Sequence, residues 1–427
     1  MTEGHRPGSW ASTNTTTPSP VHVMFRRAVQ LAAAIVTTAV LGTAGAWATP
    51  AADSSALRSP LHSASAAPRF EPRSVTFVSQ HVGWALGTVR CTHGGTCFAL
   101  RETKDAGRSW VSRPFPSSLA AAIQHSPGGV PAQLGDEGQL SVHFADAKDG
   151  WIYGALGSQP LLWSTHDGGR TWRRQPPRRL TARGEGTILD LASAAGRAWL
   201  MVSIIPSGVS VESSPVGVDR WHISNTPHLG FPAGGAQLVG AFVLQSGAGW
   251  LVEGNDRGTT GSARLNDKGQ WVSWTPPCAA VGNSFAVPAA PTPQSLVAVC
   301  VMGGFASPLP STAPAGATLG SSWLYFSTDG GETFQAGPEL GTLGTSFGEV
   351  VSPSPGVLLV TESGAGGEHL IESFDGGVHW AVVYRGAPRS VAFATPTQGF
   401  ALVESSNHAT KMIATADGGR HWASVTF

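Results

Sequence analysis

The sequence predicts an all-β protein, a seven-bladed β-propeller of four-stranded blades, on three observations. A short motif that combines an aspartate, a glycine and a closing aromatic residue recurs along the chain. A short apolar strand pattern, most often beginning with Gly-Trp, precedes the copies of this motif. The composition, with 54 glycines, 31 prolines and 15 tryptophans in 427 residues, is typical of many short strands joined by tight turns. Two worn copies bring the repeat to seven, so we expect seven blades.

Residues 1–48 are predicted to direct export and to lie outside the folded ring. A pair of arginines precedes an apolar run from Ala28 to Ala48, which ends in small residues. This order is typical of a signal peptide cleaved after Ala48, and Met24 is an alternative start that gives the usual short amino-terminal region. The run is also near the length that spans a bilayer, so an uncleaved membrane anchor stays open. We expect a secreted or cell-surface protein, or an anchored one with the propeller outside.

The repeated motif reads Ser/Thr-x-Asp-x-Gly-x-x-Trp/Phe and has five intact copies. Each copy supplies an aspartate, a glycine and an aromatic residue with an expected structural role: Asp105, Gly107 and Trp110; Asp167, Gly169 and Trp172; Asp329, Gly331 and Phe334; Asp375, Gly377 and Trp380; Asp417, Gly419 and Trp422. Two degraded copies lie at 217–221 and 266–271. Successive closing aromatics are 42 to 63 residues apart, which brackets the period of four-stranded propeller blades.

Each repeat is predicted to run strand, turn, Gly-Trp-type strand, loop, strand, Asp-Gly turn and closing strand. After an Ala/Ser/Pro-rich linker at 49–71, the propeller is expected at 72–427, with blades at about 72–113, 138–176, 187–224, 236–274, 283–337, 346–384 and 389–427. One blade cannot cover its own apolar faces, so the blades must stack around a ring. Consecutive residues suffice for each blade, and ring closure therefore needs no exchanged strand. A β-helix or a string of small β-domains is the alternative.

The motif resembles the Asp-box, or BNR repeat, of sialidases, xyloglucan-cleaving propellers and sortilin-type receptors. The Gly-Trp strand ahead of it, as in DGWIYG before THDGGRTW, looks most like the propellers related to the photosystem II assembly and stability factor. The resemblance covers residues 72–427. It implies a propeller fold and, for the assembly-factor group, the holding of partner proteins during biogenesis, without implying a photosystem as partner here. Because the family is broad, the resemblance implies little about catalysis.

The residue types of the motif explain a tight turn. The aspartate is expected to accept hydrogen bonds from backbone N–H groups one and two residues later, and the glycine to take a positive φ. The aromatic residue then begins the fourth strand and packs between blades. In the copy at 165–172, His166 and Arg170 hold positions whose residue type varies between copies. We therefore expect these two side chains to have no role in the fold or in catalysis.

Because strands alternate in direction, all Asp-Gly turns share one face, here called the turn face. The longer connections share the opposite face, here called the loop face, at 111–139, 173–186, 222–236, 254–262, 302–321 and 335–346. Function is more often carried by such loops. One basic group lies on or beside a loop-face connection and could bind carboxylate or phosphate: Arg173, Arg174, Arg178, Arg179 and Arg183. A solvated strand end is the alternative for this group.

The four cysteines also map to the loop face, and in an exported protein an even number favours disulfides. Cys91 with Cys97 and Cys278 with Cys300 are the expected pairs, and four buried free thiols are the alternative. The 14 histidines are scattered without a metal-binding motif, so no metal or other cofactor is expected. With 27 basic and 27 acidic side chains, the chain has no net charge to attract nucleic acid.

The rival interpretation is an extracellular glycoside hydrolase or sialidase. The Arg-Ile-Pro signature of sialidases is absent, and no tyrosine has a recognisable glutamate partner. A glycosidase needs two facing carboxylates. The loop-face candidates are Asp136, Glu137, Glu185, Glu212, Glu253, Asp256 and Glu362. A Gly-x-Ser-x-Gly match at 344–348 lacks the strand-to-helix turn that a nucleophile elbow requires. No catalytic residue is therefore predicted.

Together these observations favour a monomeric, exported propeller that acts as a protein-binding or assembly module through its loop face. The expected partner is a protein or a glycan at the cell envelope, and membrane contact is expected only through an uncleaved anchor at the amino terminus. Nucleic acid is not an expected partner.

Overall fold

A computed structural model of the chain describes residues 69–92, 94–124, 140–156, 159–175, 187–204, 208–227, 229, 239–255, 258–280, 284–302, 321–342, 346–364, 367–405 and 409–427. These residues form seven four-stranded antiparallel sheets, each built from four consecutive strands. The predicted all-β, seven-bladed propeller of four-stranded blades is therefore confirmed. The predicted signal or anchor at 1–48 and most of the linker lie outside the described residues.

The strands of the first four sheets, blades 1 to 4, follow in chain order. Blade 1 consists of β1 (Glu71–Phe77), β2 (Gly83–Arg90), β3 (Thr96–Thr103) and β4 (Val111–Arg113). Blade 2 consists of β5 (Ser141–Phe144), β6 (Gly150–Leu156), β7 (Gln159–Thr165) and β8 (Arg173–Arg174). Blade 3 consists of β9 (Thr187–Ala194), β10 (Arg197–Ile204), β11 (Gly208–Pro215) and β12 (His222–Ser224). Blade 4 consists of β13 (Val239–Gln245), β14 (Ala248–Asn255), β15 (Gly258–Leu265) and β16 (Trp271–Ser273).

The remaining three sheets repeat the same order. Blade 5 consists of β17 (Ser284–Ala289), β18 (Leu296–Met302), β19 (Ser321–Ser327) and β20 (Gln335–Thr342). Blade 6 consists of β21 (Ser346–Ser354), β22 (Val357–Gly364), β23 (Gly367–Ser373) and β24 (Ala381–Arg385). Blade 7 consists of β25 (Ala387–Phe393), β26 (Gly399–Glu404), β27 (Thr410–Thr415) and β28 (Ala423–Val425). Two short helices complete the described elements, α1 (Ser117–Gln124) and a 3₁₀ turn at Pro277–Ala280.

Side chains close the ring between blade 7 and blade 1. The rings of Phe77 and Phe400 stack with their centroids 3.6 Å apart, and Phe70 packs against Phe427 at 4.6 Å. The Gln398 side-chain amide donates a hydrogen bond of 2.7 Å to the carbonyl of Gln80. No strand crosses between these two sheets. Apolar packing therefore holds this boundary as it holds the others.

Packing explains both residues of the Gly-Trp pattern. A Cβ atom at Gly150 would overlap the ring of Phe144 in the same blade, so the position requires glycine. The following aromatic faces the next blade: Trp84 stacks on Phe144 with ring centroids 3.7 Å apart. Three such tryptophans, Trp84, Trp151 and Trp250, are at most 1% exposed. Because ring stacking adds to a large buried area, these residues are the main inter-blade core.

Two of these tryptophans, Trp84 and Trp250, tie their blade to the turn of the next one. The Trp84 indole N–H donates to the Gly168 carbonyl at 3.3 Å, and the Trp250 N–H donates to the Gly330 carbonyl at 3.1 Å. The next blade after Trp151 carries a worn turn without the glycine pair. Within the described residues the Trp151 N–H, which is buried, has no hydrogen-bond partner. The loss of the turn thus costs this boundary one hydrogen bond.

The structure differs from the expected loop face at three places. Helix α1 lies within the connection at 111–139, and its Leu119 and Ile123 are buried between blades 1 and 2. The connection expected at 335–346 is mostly strand β20, and that at 254–262 is mostly strands β14 and β15. In both cases the strand pairing continues through glycine-rich sequence, although the residues there lack a strong strand preference. The expected connections are therefore mostly strand.

Candidate functional site

The five intact Asp-Gly turns share one hydrogen-bond arrangement. In blade 1 the Thr103 hydroxyl donates to Asp105 Oδ1 at 2.8 Å, and the Gly107 N–H donates to Thr103 Oγ1 at 2.8 Å. The Ser109 N–H and hydroxyl both donate to the Asp105 carboxylate. In blade 2 the aspartate accepts from the N–H groups of the residues three and four positions later. The expectation of N–H donors one and two residues later is therefore wrong, because the turn is wider than a simple Asp turn.

These contacts leave little of the aspartate for a ligand. Hydrogen bonds from Ser109 and Thr103 lower the pKa of Asp105 to about 2. The glycine takes a positive φ in every intact copy, at Gly107, Gly169, Gly331, Gly377 and Gly419. The closing aromatics Trp110, Trp172, Phe334, Trp380 and Trp422 are partly buried. Trp172 packs in a cluster with residues of blade 1, and its indole N–H donates to the Pro114 carbonyl at 3.0 Å. These groups support the fold.

His166 lies between two carboxylates and joins blade 2 to blade 3. Its Nδ1 is 2.5 Å from Asp149 Oδ1, and its Nε2 is 2.9 Å from Asp219 Oδ2. Asp219 belongs to the worn turn of blade 3 and also accepts hydrogen bonds from Ser164 and Gln175. The expectation that His166 has no role in the fold is therefore wrong. We call these five residues the His166 cluster.

The geometry of the His166 cluster favours a proton on both ring nitrogens, since each faces a carboxylate oxygen. Burial by itself disfavours the charged imidazolium, but the hydrogen bonds with Asp149 and Asp219 outweigh it and raise the pKa of His166. Burial raises the pKa of Asp149, although its hydrogen bond with His166 works in the opposite direction. The cluster is thus an ionic link across the one boundary where the indole hydrogen bond of Trp151 is missing.

The predicted arginine group is divided by the fold. Arg173 and Arg174 form the two-residue outer strand β8, where both are exposed on the rim of blade 2. Neither makes an ion pair within the described residues. Arg178, Arg179 and Arg183 lie outside the described residues. Some other strand arginines are paired, as with Arg113 and Glu102 or Arg389 and Glu404.

Two disulfides are present, and they join the pairs expected from the sequence. Cys91–Cys97 closes the hairpin between β2 and β3, with a Cα–Cα distance of 5.3 Å. Cys278–Cys300 joins the 3₁₀ turn at the entrance of blade 5 to β18, also with a Cα–Cα distance of 5.3 Å. Both sulfurs of the second pair are buried, whereas the first pair is partly exposed. By strand order, both disulfides belong to the loop face.

The predicted loop-face carboxylates do not form a facing pair within the described residues. Glu212 and Glu253 are buried in strands, between blades 2 and 3 and between blades 3 and 4 respectively. Glu362 lies in strand β22. The remaining candidates lie outside the described residues: Asp136, Glu137, Glu185 and Asp256. The sequence placed Glu212 and Glu253 in loops because it did not show how far β11 and β14 extend.

The sequence did not single out the acids of the innermost strands. The Tyr153 hydroxyl donates to Asp190 Oδ1 at 3.2 Å, and the Val391 N–H donates to Glu349 Oε2 at 2.5 Å. Burial, together with the negative charge of Asp190, raises the pKa of Glu349 well above its usual range. Asp190 and Glu349 are 2% and 6% exposed. An acid within an apolar first strand, as in TILDLAS, was the signal that could have identified them.

Glu253 and Glu372 are buried carboxyls for which the described residues provide no hydrogen-bond partner. Glu372 lies against the turn of blade 7, where a Cβ atom at Gly419 would overlap its carboxyl group. Burial raises the pKa of Glu253 to about 7. Burial also raises the pKa of Glu372 to about 8, with Arg420 opposing and Asp417 adding to the shift. Both carboxyls are therefore protonated in the folded chain at mildly acidic pH.

We expect the double variant E253Q/E372Q to be more stable than the wild type at pH 8 and equally stable at pH 5. Both folded-state pKa values lie above the ordinary value, so ionisation disfavours the folded chain as the pH rises from about 4.5 to 8. The expected gain at pH 8 is about 1–2 kcal/mol per carboxyl. Urea unfolding at several pH values measures it. E332Q, at an exposed glutamate, is the control, and parallel pH profiles for all three proteins would contradict the assignment.

The described residues contain neither a metal-binding group nor a membrane-spanning helix. No group of three or more His, Cys, Asp or Glu side chains in the described ranges could hold a metal ion. In the same part of the chain, no helix has the length and apolar character needed to span a membrane. The predicted anchor at 28–48 falls outside that part.

Comparisons with known proteins reveal similar folds. No protein-family model matches the chain, and no curated protein matches it. YCF48 bound to a D1 peptide is 18% identical, with a TM-score of 0.47, over 82% of this chain and 94% of that one. YCF48 from Cyanidioschyzon merolae is 14% identical, with a TM-score of 0.47, over 82% and 96%. A PL25 polysaccharide lyase, an ulvan lyase, is 11% identical, with a TM-score of 0.46, over 84% and 96%. These likenesses concern the fold alone.

Proposed function

We propose that the chain is an exported, non-catalytic propeller that binds or assembles partner proteins through its loop face. The observation that carries the proposal is the position of the two disulfides, which both brace that face. Cys91–Cys97 fixes a hairpin end, and Cys278–Cys300 fixes a connection between blades 4 and 5. A surface that is rigid before binding loses less conformational entropy when a partner docks.

The difference between the two faces also supports the loop face as the surface that binds partners. On the turn face, hydroxyl, carboxylate and N–H groups of the five intact turns bind one another, as in the turn of blade 5. Longer connections on a rigid scaffold are where propellers and other folds most often carry function. The loop face therefore has both the length of chain and the rigid support that recognition requires.

Arginine recognition is the part of this proposal that can be tested first. Arg173 and Arg174 are exposed beside the connection that carries Arg178, Arg179 and Arg183. Guanidinium groups bind carboxylates bidentately, so this group suits an acidic segment of a protein partner. Disulfides are kept in oxidising compartments, which agrees with a partner at the cell envelope.

We expect R178E/R179E to weaken capture of envelope proteins by the immobilised chain about tenfold, because like charges then face the acidic partner. Quantitative mass spectrometry of the captured proteins measures the change. The matched control is K268E/R420E, which makes the same change in net charge on exposed turn-face residues of blades 4 and 7. Identical capture by the wild type and R178E/R179E would contradict the arginine assignment.

The rival function, glycoside hydrolysis, would use the inner carboxylates of Asp190 and Glu349, since the charge of Asp190 acts on Glu349. Their low exposure and their hydrogen bonds to Tyr153 and Val391 favour a role in holding blades together. Turnover of an envelope glycan that disappears in D190N or E349Q, with the fold retained, would overturn the non-catalytic proposal. Turnover by the chain that survives in both variants would also contradict the non-catalytic proposal and would come from other residues.

A further inference from the structure

The turn face of blades 1 to 3 carries a concentration of exposed basic side chains. By strand order, the connections between first and second strands and between third and fourth strands lie on this face. These connections, together with the first residue of β10, carry six exposed cations in these three blades, here called the basic sector: Lys104, Arg108, Lys148, Arg170, Arg197 and Arg220. Within the described residues Lys104 makes an ion pair, at 3.9 Å from Glu102, and the other five make none.

The acidic residues in the same turns do not neutralise the basic sector at its surface. Asp105 and Asp167 accept hydrogen bonds within their own turns, and Asp146 accepts hydrogen bonds from the N–H groups of Lys148 and Asp149. Asp149 and Asp219 bind His166, and their side chains are 16% and 10% exposed. Four of these five aspartates are partly buried and Asp146 is exposed, whereas all six cationic side chains are exposed. A chain with no net charge thus presents a positive surface here.

The corresponding positions in other blades are different. The two variable positions of each turn hold Lys104 and Arg108 in blade 1. In blade 5 they hold Thr328 and Glu332, and in blade 6 they hold Phe374 and Val378. Glu332 is 61% exposed, and both apolar side chains of blade 6 are exposed as well. Blades 4 and 7 each carry one exposed cation on this face, Lys268 and Arg420, whereas each of blades 1 to 3 carries two. The positive charge is therefore concentrated in one sector.

We infer that the basic sector is a second docking surface, which binds an acidic polypeptide segment of a partner protein. Four of its six cations are arginines, whose planar guanidinium groups pair with carboxylates in two hydrogen bonds. The sector has no exposed aromatic side chain, since Trp110 and Trp172 are partly buried between blades, so it lacks the stacking platform that sugar rings use. This surface is on the face opposite to the loop face, and the inference stands independently of the proposed function.

The test is binding of a fluorescent decaglutamate peptide to the full chain, followed by anisotropy at 50 mM and 200 mM salt. We expect saturable binding at low salt that weakens at least about tenfold at the higher salt. R170E/R220E should weaken binding at low salt about tenfold or more. K268E/R420E changes two exposed cations of the same face outside the sector and should stay within about twofold of the wild type. Thermal melts check that both variants are folded.

Three outcomes would overturn the inference. The first is the absence of saturable binding by the wild type at 50 mM salt. The second is equal weakening by R170E/R220E and K268E/R420E, which would mean that overall charge and not the sector governs binding. The third is sector-dependent binding of anionic lipid vesicles or of an acidic polysaccharide without binding of decaglutamate. Because decaglutamate could also bind the loop-face arginines, the comparison is repeated in the R178E/R179E background. There R170E/R220E should still weaken the remaining binding about tenfold, which separates this surface from the loop face.

Discussion

Replacing Cys278 and Cys300 together with alanine is expected to lower the free energy of unfolding by about 3 kcal/mol. The disulfide closes a segment of 22 residues, and both sulfurs lie in the core with Trp250 and Trp274. C91A/C97A is the matched control, because that disulfide closes 6 residues at a partly exposed hairpin end. Loss of chain entropy in the unfolded state gives the Cys91–Cys97 disulfide a stabilisation of about 2 kcal/mol. Its removal leaves no buried cavity that would add to this value.

Urea unfolding of the oxidised wild type and the two double variants measures the difference. Loss of Cys278–Cys300 should lower the midpoint more than loss of Cys91–Cys97. An equal or reversed order would mean that the buried disulfide does not stabilise the entrance of blade 5, and it would weaken the proposal that this connection is held rigid for binding. Partner capture by each variant then shows which of the two disulfides the loop face needs for binding.

H166Q is expected to destabilise the fold by about 1–2 kcal/mol near pH 6, because Asp149 and Asp219 lose the cation between them. H421Q is the matched control. His421 Nδ1 is also 2.6 Å from a turn aspartate, Asp417, but the imidazole is 89% exposed and joins no second blade. Its replacement should change the free energy of unfolding by less than about 0.5 kcal/mol.

The pH dependence gives the His166 cluster a distinct signature. The pKa of His166 is raised in the fold, so its contribution is fully present below the ordinary histidine pKa, about 6.5, and is lost as the pH rises through the folded-state value. The difference in stability between wild type and H166Q should therefore be largest at pH 6 and should shrink toward pH 9. A difference that does not change over this range would show that His166 acts through packing and not through its charge.

The sequence predicted the blades well because each intact turn uses the same residue types at the same spacing. The closing aromatics and the Asp-Gly turns recur at the same positions of each unit, so their spacing gave both the number of blades and the face of each connection. Trp151 and Trp250 followed from the same pattern. Nothing comparable marked helix α1, where Leu119 and Ile123 occur once and on a single short element.

The role of His166 was missed for a related reason. The side chain occupies a position that varies between copies, and its partner Asp219 lies 53 residues later in a worn turn. A comparison of the repeats gives no weight to a residue that varies between copies, or to a copy that has lost the motif. Glu212 and Glu253 were placed in loops because the sequence does not mark where a strand ends in a glycine-rich segment. Glu349 was missed because the N–H group that binds it, that of Val391, belongs to the next blade. Contacts between different blades were the part that spacing did not predict.

Ring closure by apolar packing has a consequence for how such chains change in evolution. Every sheet is complete within its own stretch of chain, from β1–β4 to β25–β28. Duplication or loss of one whole unit by recombination would therefore leave the remaining sheets intact and would alter only the curvature at each boundary. A ring fastened by an exchanged strand would instead break one sheet at each such event.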